Sequence, residues 1–538
     1  MGTDAKKLDF EMLKNAVSGH AAAIRCRTKL QPAAGEGTKV FPPTHSGGVY
    51  ATETRRIPVY EEVEEEIDGK DGKKEKRKVK RVISTREAAC VLLDSVQSQA
   101  NRIEDALQAA IDSGELKMPL IEVDFRNIDG IKDVQKVTSL QAPHRAADAI
   151  LRDSLTKQVD PKDKDKKVSV PFPKSDVGKA ITDSSLANAT GLFRYCPHAL
   201  FLGIWDSTGP KGGLGAKFAR ALVSEIVGID IKSGARSRSR IDPLQIGVNA
   251  GPIYRLANGE WTIDPDEAIQ EEKKGEPTGK ACLYRRNKQK QNVYFEPGRL
   301  FERTDTATRA WTYHPKLAKI VEDKPATVLL KLYGKNETVE IGKDLLILTV
   351  PSNKIPKEGK PSAANHGNVT PDIKDEDGTE LVGGVTMSCA EHTAVLSLPQ
   401  LRRLRFPLNG VLDKDPKKQA EIDAAARTVL AALALVGLTL SLERGSDLRS
   451  RCLLFPSEKL QFELLDKPGE KKQTEFTLTS VEAIKLYTDA VTHATSKEIG
   501  LTWNTDKIEL TPSPELIALV QKSQELAAVG GDDEKGEV

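Results

Sequence analysis

Apolar and basic positions alternate in Ala21–Leu30, AAAIRCRTKL: Ile24, Cys26 and Thr28 fall on one side, Arg25, Arg27 and Lys29 on the other. Period two predicts a strand with one face inward and a basic face outward. A Pro/Gly-rich loop follows, from Pro32 to Gly48. Ile57–Ile67 is acidic and Lys73–Val82 basic, and between them lies the turn signal DGKDG. The pattern predicts a β-hairpin whose opposed strands carry opposite charge, the alternative being a disordered charged linker.

Further along, Thr85–Ile111 is predicted as a helix, with Ser84 and Glu87 as a capping box and an apolar stripe of Leu92, Val96, Ile103 and Leu107. Gln97, Asn101 and Arg102 fall on or near its polar side. Leu120–Phe125 reads as a strand, His144–Leu155 as a helix, Asp160–Lys167 as a charged loop and Ala199–Trp205 as a buried strand. A glycine-rich turn, Asp206–Gly215, is expected to lead into a helix over Ala216–Val227. From about Pro252 to Gly383, polar runs and short strands such as Thr327–Tyr333 and Leu345–Val350 suggest an insertion. Ile422–Leu442 and Ser480–Thr495 read as helices, and the end of the chain as a disordered acidic tail.

Composition narrows the picture only a little. The chain has 538 residues, 80 Lys plus Arg against 78 Asp plus Glu, and 5% aromatics. With a net charge of +2, only the distribution of charge bears on partners. Six cysteines without a CxxC pair, and an N-terminus without an apolar stretch, point to a reducing cytosol. The uncharged run Thr428–Leu442 is 15 residues long, short of the roughly 20 a membrane span needs. It reads as a buried helix, and no membrane partner is expected.

The chemistry is in the cations. There is no GxSxG, HExxH or Walker loop, and the eight histidines show no paired spacing. No catalytic residue, metal or cofactor is therefore expected. DSTGPKGGLGAKF (Asp206–Phe218) combines Lys211, Gly212, Gly213 and Lys217. Glycines let backbone N–H groups approach an anion, so the segment is either a phosphate-binding loop or a turn that permits tight packing. KSGARSRSR (Lys232–Arg240) brings Arg236, Arg238 and Arg240 together without an acid, a mixture suited to phosphates or to a solvated loop. RGSDLRSR (Arg444–Arg451) offers Arg449 and Arg451, with Asp447 available as a structural partner. RRLR (Arg402–Arg405) is a fourth basic segment. The residues alone point to an anion-binding α+β protein with sequence-independent contacts.

Several segments in fixed order resemble a known family. They are RTKLQP (Arg27–Pro32), FPPTHSGGVYA (Phe41–Ala51), LLDSVQSQANRIEDAL (Leu92–Leu107), APHRAADAILRDS (Ala142–Ser154) and FLGIWDSTGPKGGLGAKFARALVSEIVG (Phe201–Gly228). GARSRSRIDPLQI (Gly234–Ile246), GNV (Gly367–Val369), GGVTMSCAEHTAVLSLPQLRRLRFP (Gly383–Pro407) and DLRSRC (Asp447–Cys452) continue the series. The set resembles the CRISPR-associated RAMP proteins of the seventh Cas family, in the Csb-type branch that forms the backbone of type I-G (formerly I-U) Cascade.

The resemblance implies an α+β fold, a ferredoxin-like, RRM-related palm with finger and thumb insertions, spanning residues 1–528 as one domain before the tail 529–538. It implies a non-catalytic subunit that polymerises head to tail along the spacer of a CRISPR RNA in a prokaryotic cytoplasm. Its partners would be that RNA, the target DNA strand paired to it, further copies and other Cascade subunits. Arg25, Arg27, Lys29, Gln97, Asn101, His144, Arg145, Lys211, Gly212, Gly213, Lys217, Arg236, Arg238, Arg240, Arg449 and Arg451 become the expected RNA contacts. The Tyr50–Val82 hairpin and parts of Pro252–Gly383 look like extra material. The rival reading is a RAMP endoribonuclease processing precursor CRISPR RNA, with His20 and His144 as acid–base groups.

Overall fold

A computed structural model describes residues 6–45, 49–68, 74–131, 134–160, 163–206, 217–246, 250, 252–258, 260–273 and 276–284. It also describes short strands between 292 and 349, residues 359, 361–364, 366, 367 and 369–373, and then 382–470 and 473–530. Lys211, Gly212, Gly213 and the acidic tail beyond residue 530 lie outside the described residues.

Two compact units divide the chain: Met1–Lys232 with Gly384–Val538, and Ser233–Gly383. The first begins with α1 (Phe10–Ser18), capped by Asp9, whose side chain accepts from the Met12 N–H. β1 (Ala23–Pro32), β2 (Thr52–Asp68) and β3 (Lys74–Asp94) precede α2 (Val96–Asp112). Then come β4 (Ile121–Asp124), the hairpin β5 (Ser154–Asp160) and β6 (Asp163–Pro171), and α3 (His198–Leu202). β7 (Ile204–Trp205), β8 (Lys217–Phe218) and β9 (Leu222–Ile229) complete the stretch before the second unit. After it run β10 (Cys389–Ser397), α4 (Leu398–Arg402), α5 (Pro416–Glu443), β11 (Leu453–Pro456), β12 (Gln461–Leu464), β13 (Thr474–Thr477), α6 (Ser480–Ala494) and β14 (Ile508–Pro512).

The large sheet runs β13–β12–β1–β10–β9–β3–β2, with β11 beside β1. Its central strands β12, β1, β10 and β9 pair antiparallel. α2 lies in sequence between β1 and β9, and α5 between β10 and β12. Both helices cover the same face: Ile103, Leu107 and the body of α5 share one buried cluster with Ile24, Cys26, Leu222, Ala394, Leu396 and Phe462. A second sheet orders β6–β5–β14–β4, with β14 and β4 parallel.

α5 is the backbone of the core. Its Ala/Leu-rich sequence has high helix propensity, Asp415 caps it, and Pro416 opens it. It is apolar on all sides because α1, α2, α3, α4 and α6 surround it. Although it is long and apolar enough to cross a membrane, 89% of that stretch is buried inside this fold.

The hairpin is real and longer than its charge pattern suggested: Glu61, Glu62, Glu64, Glu65 and Glu66 register against Arg81, Lys80, Lys78, Arg77 and Lys76. Elsewhere, tertiary pairing overrides local pattern. Residues 85–94 belong to β3 and pair with β2 and β9, so the helix starts only at Val96, capped by Ser95 rather than Ser84. Residues 222–229 are a strand, with Leu222, Ser224 and Ile226 inward and Val223 outward. Residues 198–202 are a helix: in a fully buried apolar run, periodicity cannot separate the two states. His144–Leu155 yields only a 3-10 turn (Arg145–Ala147) and one helical turn (Ala149–Arg152) before β5. The charged segment after Asp160 is the end of the β5–β6 hairpin, not a free loop.

The second unit consists of short antiparallel ladders, among them Tyr254–Arg255 with Trp261–Thr262 and Arg238–Arg240 with Val369–Asp372.

Gly437 sets how closely α5 approaches α2: a Cβ there would stand 2.7 Å from Cγ2 of Ile103 and 3.3 Å from Cγ of Leu107. Overpacking a core at such a site costs about 1–3 kcal/mol. Gly437→Leu is expected to lower the denaturation midpoint accordingly; an unchanged urea midpoint would show that the helices have room to separate.

Candidate nucleic-acid interface

At the stem of the glycine-rich segment, β7 and β8 form a two-residue ladder in which Ile204 faces Phe218 and Trp205 faces Lys217. Ile204 and Phe218 are buried, while Trp205 and Lys217 are exposed. Directly opposed residues share a face, so Lys217 Nζ lies over the Trp205 indole, 5.0 Å from its centroid. Gly203 turns the chain from α3 into the ladder with φ +87°, and a Cβ there would meet Cγ of Arg220 at 2.9 Å. The position requires glycine on both counts.

Arg145 supports this stem from below. Its Nε and Nη2 donate to the two oxygens of Glu104 at 2.7 and 2.9 Å, and its Nη1 donates to the Gly203 carbonyl at 3.0 Å. Arg145 sits at φ +54° and is 8% exposed. Burial pushes the Glu104 carboxyl up to about 7, against the pull of the Arg145 guanidinium. Arg220 donates to the Leu202 carbonyl at 3.1 Å, and burial, followed by the charge of Arg145, lowers its pKa.

Above the pair opens a cavity of about 560 Å³ lined by Arg145, Trp205, Lys217, Arg220 and, from the end of α4, Arg403. Lys217 and Arg403 are exposed and have no carboxylate partner among the described residues. Trp205, Arg220 and Arg403 were not among the contacts expected from sequence. RRLR was the one signal for Arg403, and nothing local distinguished Trp205 from a buried strand residue.

The other expected contacts are placed differently. On the outer sheet face, Arg25 pairs with Glu463 at 2.7 Å and Arg27 with Glu391 at 2.8 Å; Lys29 is exposed, in register with Glu391. Gln97 and Asn101 are exposed on α2. Their neighbour Arg102 clamps Asp94 and the carbonyls of Asp447 and Leu448. His144 is exposed, and its N–H donates to Asp148. Arg449 donates to the Pro42 carbonyl, and Arg451, at φ +64°, lies 4.3 Å from the centroid of the Phe41 ring. Of the RRLR segment, Arg402 caps α1 through the Ala16 and Val17 carbonyls, and Arg405 pairs with Asp423. In the second unit, Arg236 is exposed, Arg238 lies on a strand, and Arg240 donates to the Gly367 carbonyl at 2.9 Å.

One arrangement has the outline of a nucleophile and base. Ser224 Oγ lies 2.7 Å from His392 Nε2. The same hydroxyl donates to Gln99 Oε1, while Gln99 Nε2 donates to Asp94. The hydroxyl proton is thus committed to Gln99, so His392 Nε2–H is the donor to Ser224 and Nδ1 is left without a partner. The histidine cannot take the serine's proton in this arrangement, and both residues are buried between sheet and helix. Among the described residues, no group of three or more His, Cys, Asp and Glu could hold a metal.

A family model described as CRISPR-associated protein GSU0053 matches residues 24–233. That span includes α2, the Glu104–Arg145 pair and the Trp205–Lys217 ladder, and supports a CRISPR-associated role for the chain. No curated protein matches it.

Two outcomes follow from this geometry. Arg145→Ala strands a buried carboxylate and is expected to destabilise the protein by about 3–5 kcal/mol. The loss should shrink toward acid pH, where Glu104 takes up a proton; chemical denaturation at two pH values measures it. Burial lowers the pKa of His392 to about 4. The unfolded chain therefore binds a proton that the folded state refuses, and stability falls as pH drops from about 6.5 toward 4, by about 2 kcal/mol at pH 5. His392→Gln should remove that contribution and leave the one from His198, whose pKa burial lowers to about 3; an unchanged pH profile would refute the assignment.

Proposed function

We propose that the chain is an RNA-binding, non-catalytic backbone subunit of a type I-G CRISPR surveillance complex, copies of which polymerise along the spacer of a guide RNA. The observation that carries this reading is the cation-lined cavity, where Lys217 and Arg403 are exposed with no carboxylate partner among the described residues. Such contacts bind phosphate and carry no sequence information, as a subunit serving guides of varying sequence requires. The family match supports a place in a CRISPR system. The spatial order β12–β1–β10–β9, with α2 and α5 on one face, supports the ferredoxin-like, RRM-related palm. The non-catalytic part rests on the sequence, which carries no GxSxG, HExxH or Walker motif; the hydrogen-bond direction at Ser224 and His392 removes only that one pair from consideration. Target DNA would pair with the held guide, and further copies and other Cascade subunits would complete the assembly.

The test is a titration of two single-stranded RNAs of equal length and unrelated sequence across a salt series. Affinities should match, and log K should fall with log salt at about −0.7 per phosphate neutralised. Lys217→Ala and Arg403→Ala should each flatten the slope by about 0.7. A large difference between the RNAs, or a flat salt response, would overturn the reading. Cleavage of precursor RNA that disappears in His20→Ala or His144→Ala would establish the processing nuclease instead.

A further inference from the structure

Trp205 is the residue that phosphate binding leaves unexplained. It is 58% exposed, although its neighbours Gly203 and Ile204 are buried at the foot of the same ladder. A large aromatic ring in water at the rim of a cationic cavity serves no packing purpose that the described residues show. Its pairing with Lys217 places the ammonium over the ring, and no carboxylate partner of Lys217 is found among the described residues. The buried Ile204–Phe218 pair anchors both strands of the ladder to the core. The cavity beside it, about 560 Å³, is within the usual 300–1,000 Å³ of sites for small organic ligands and so can receive one nucleotide.

We propose that Trp205 is a stacking platform for one base of a single-stranded RNA. In this arrangement Lys217 leaves the indole face for the adjacent phosphate as the base takes its place, and Arg403 and Arg220 face the backbone on the cavity side. The ligand is a nucleotide of any sequence, because every base has a π-face. The inference rests on the RNA-binding reading above and adds a base contact to it. No residue between 207 and 216 is needed.

The exchange on the ring gives the experiment two readouts. The full chain is titrated with a uridine homopolymer and with an abasic ribose-phosphate oligomer of equal length, following affinity and tryptophan emission. The RNA should quench part of the emission and the abasic oligomer should not. Trp205→Leu keeps apolar bulk without a π-face. It should abolish that quenching and weaken RNA binding roughly 5- to 150-fold, while affinity for the abasic oligomer stays unchanged. Trp205→Phe should restore most of the RNA affinity. If wild type binds RNA with a steep salt response but Trp205→Leu binds equally well, the platform is refuted and the phosphate-binding reading stands. If wild type binds neither oligomer, the parent reading fails. If Trp205→Leu loses affinity for both oligomers alike, the ring only positions Lys217 and the stacking proposal is overturned.

Discussion

The guanidinium of Arg145 ties together three parts of the chain that are remote in sequence: Glu104 on α2, the 3-10 turn that carries Arg145 itself, and the Gly203 carbonyl at the start of β7. All are buried, so each charge is acceptable only because the other is there. A bidentate fork also fixes orientation as well as distance. With Arg145 held in this way, its bond to the Gly203 carbonyl fixes the turn between α3 and β7, and the β7–β8 ladder stands at the cavity rim. The strained backbone at Arg145 (φ +54°) is consistent with a residue held in place by its surroundings.

Several arginines elsewhere on the first unit are held internally. Arg25 and Arg27 find Glu463 and Glu391 on neighbouring strands, Arg55 reaches past β3 to Glu225 on β9, and Arg86 pairs with Asp230 just beyond the end of β9. Arg402, Arg427 and Arg449 are spent on backbone carbonyls. An excess of two positive charges over 538 residues therefore conceals an uneven surface. Paired cations hold strands and helix ends in register, and the cavity is lined by Arg145, Lys217, Arg220 and Arg403, of which Arg145 is held by the buried Glu104. That local concentration of cations is what the net charge does not suggest.

The polar chain His392–Ser224–Gln99–Asp94–Arg102 does similar work on the other side of α2. It crosses from β10 through β9 to the start of α2 and ends on the carbonyls of Asp447 and Leu448. A hydrogen-bonded series of this kind specifies the seating of a helix that apolar contacts alone would leave free to slide. It explains why a serine, a glutamine and a histidine lie in an otherwise apolar layer.

Local pattern alone determined β1, the charge-opposed hairpin, β4, α5 and α6, because each carries a strong period, a cap or a turn signal within its own span. It also located the arginine- and lysine-rich segments, although it left open which of their cations face solvent. What it misassigned, residues 85–94, 198–202 and 222–229, are segments buried on both sides or paired with strands far away, where a short apolar run fits helix and strand equally well. The fates of individual cations were likewise undetermined. Arg145 and Arg403 are both arginines in basic or polar stretches, yet one is buried against Glu104 and the other faces solvent. Only the tertiary structure, which brings residues 104, 145, 203, 205, 217, 220 and 403 together, decides which positive charges are already paired and which remain available to a ligand.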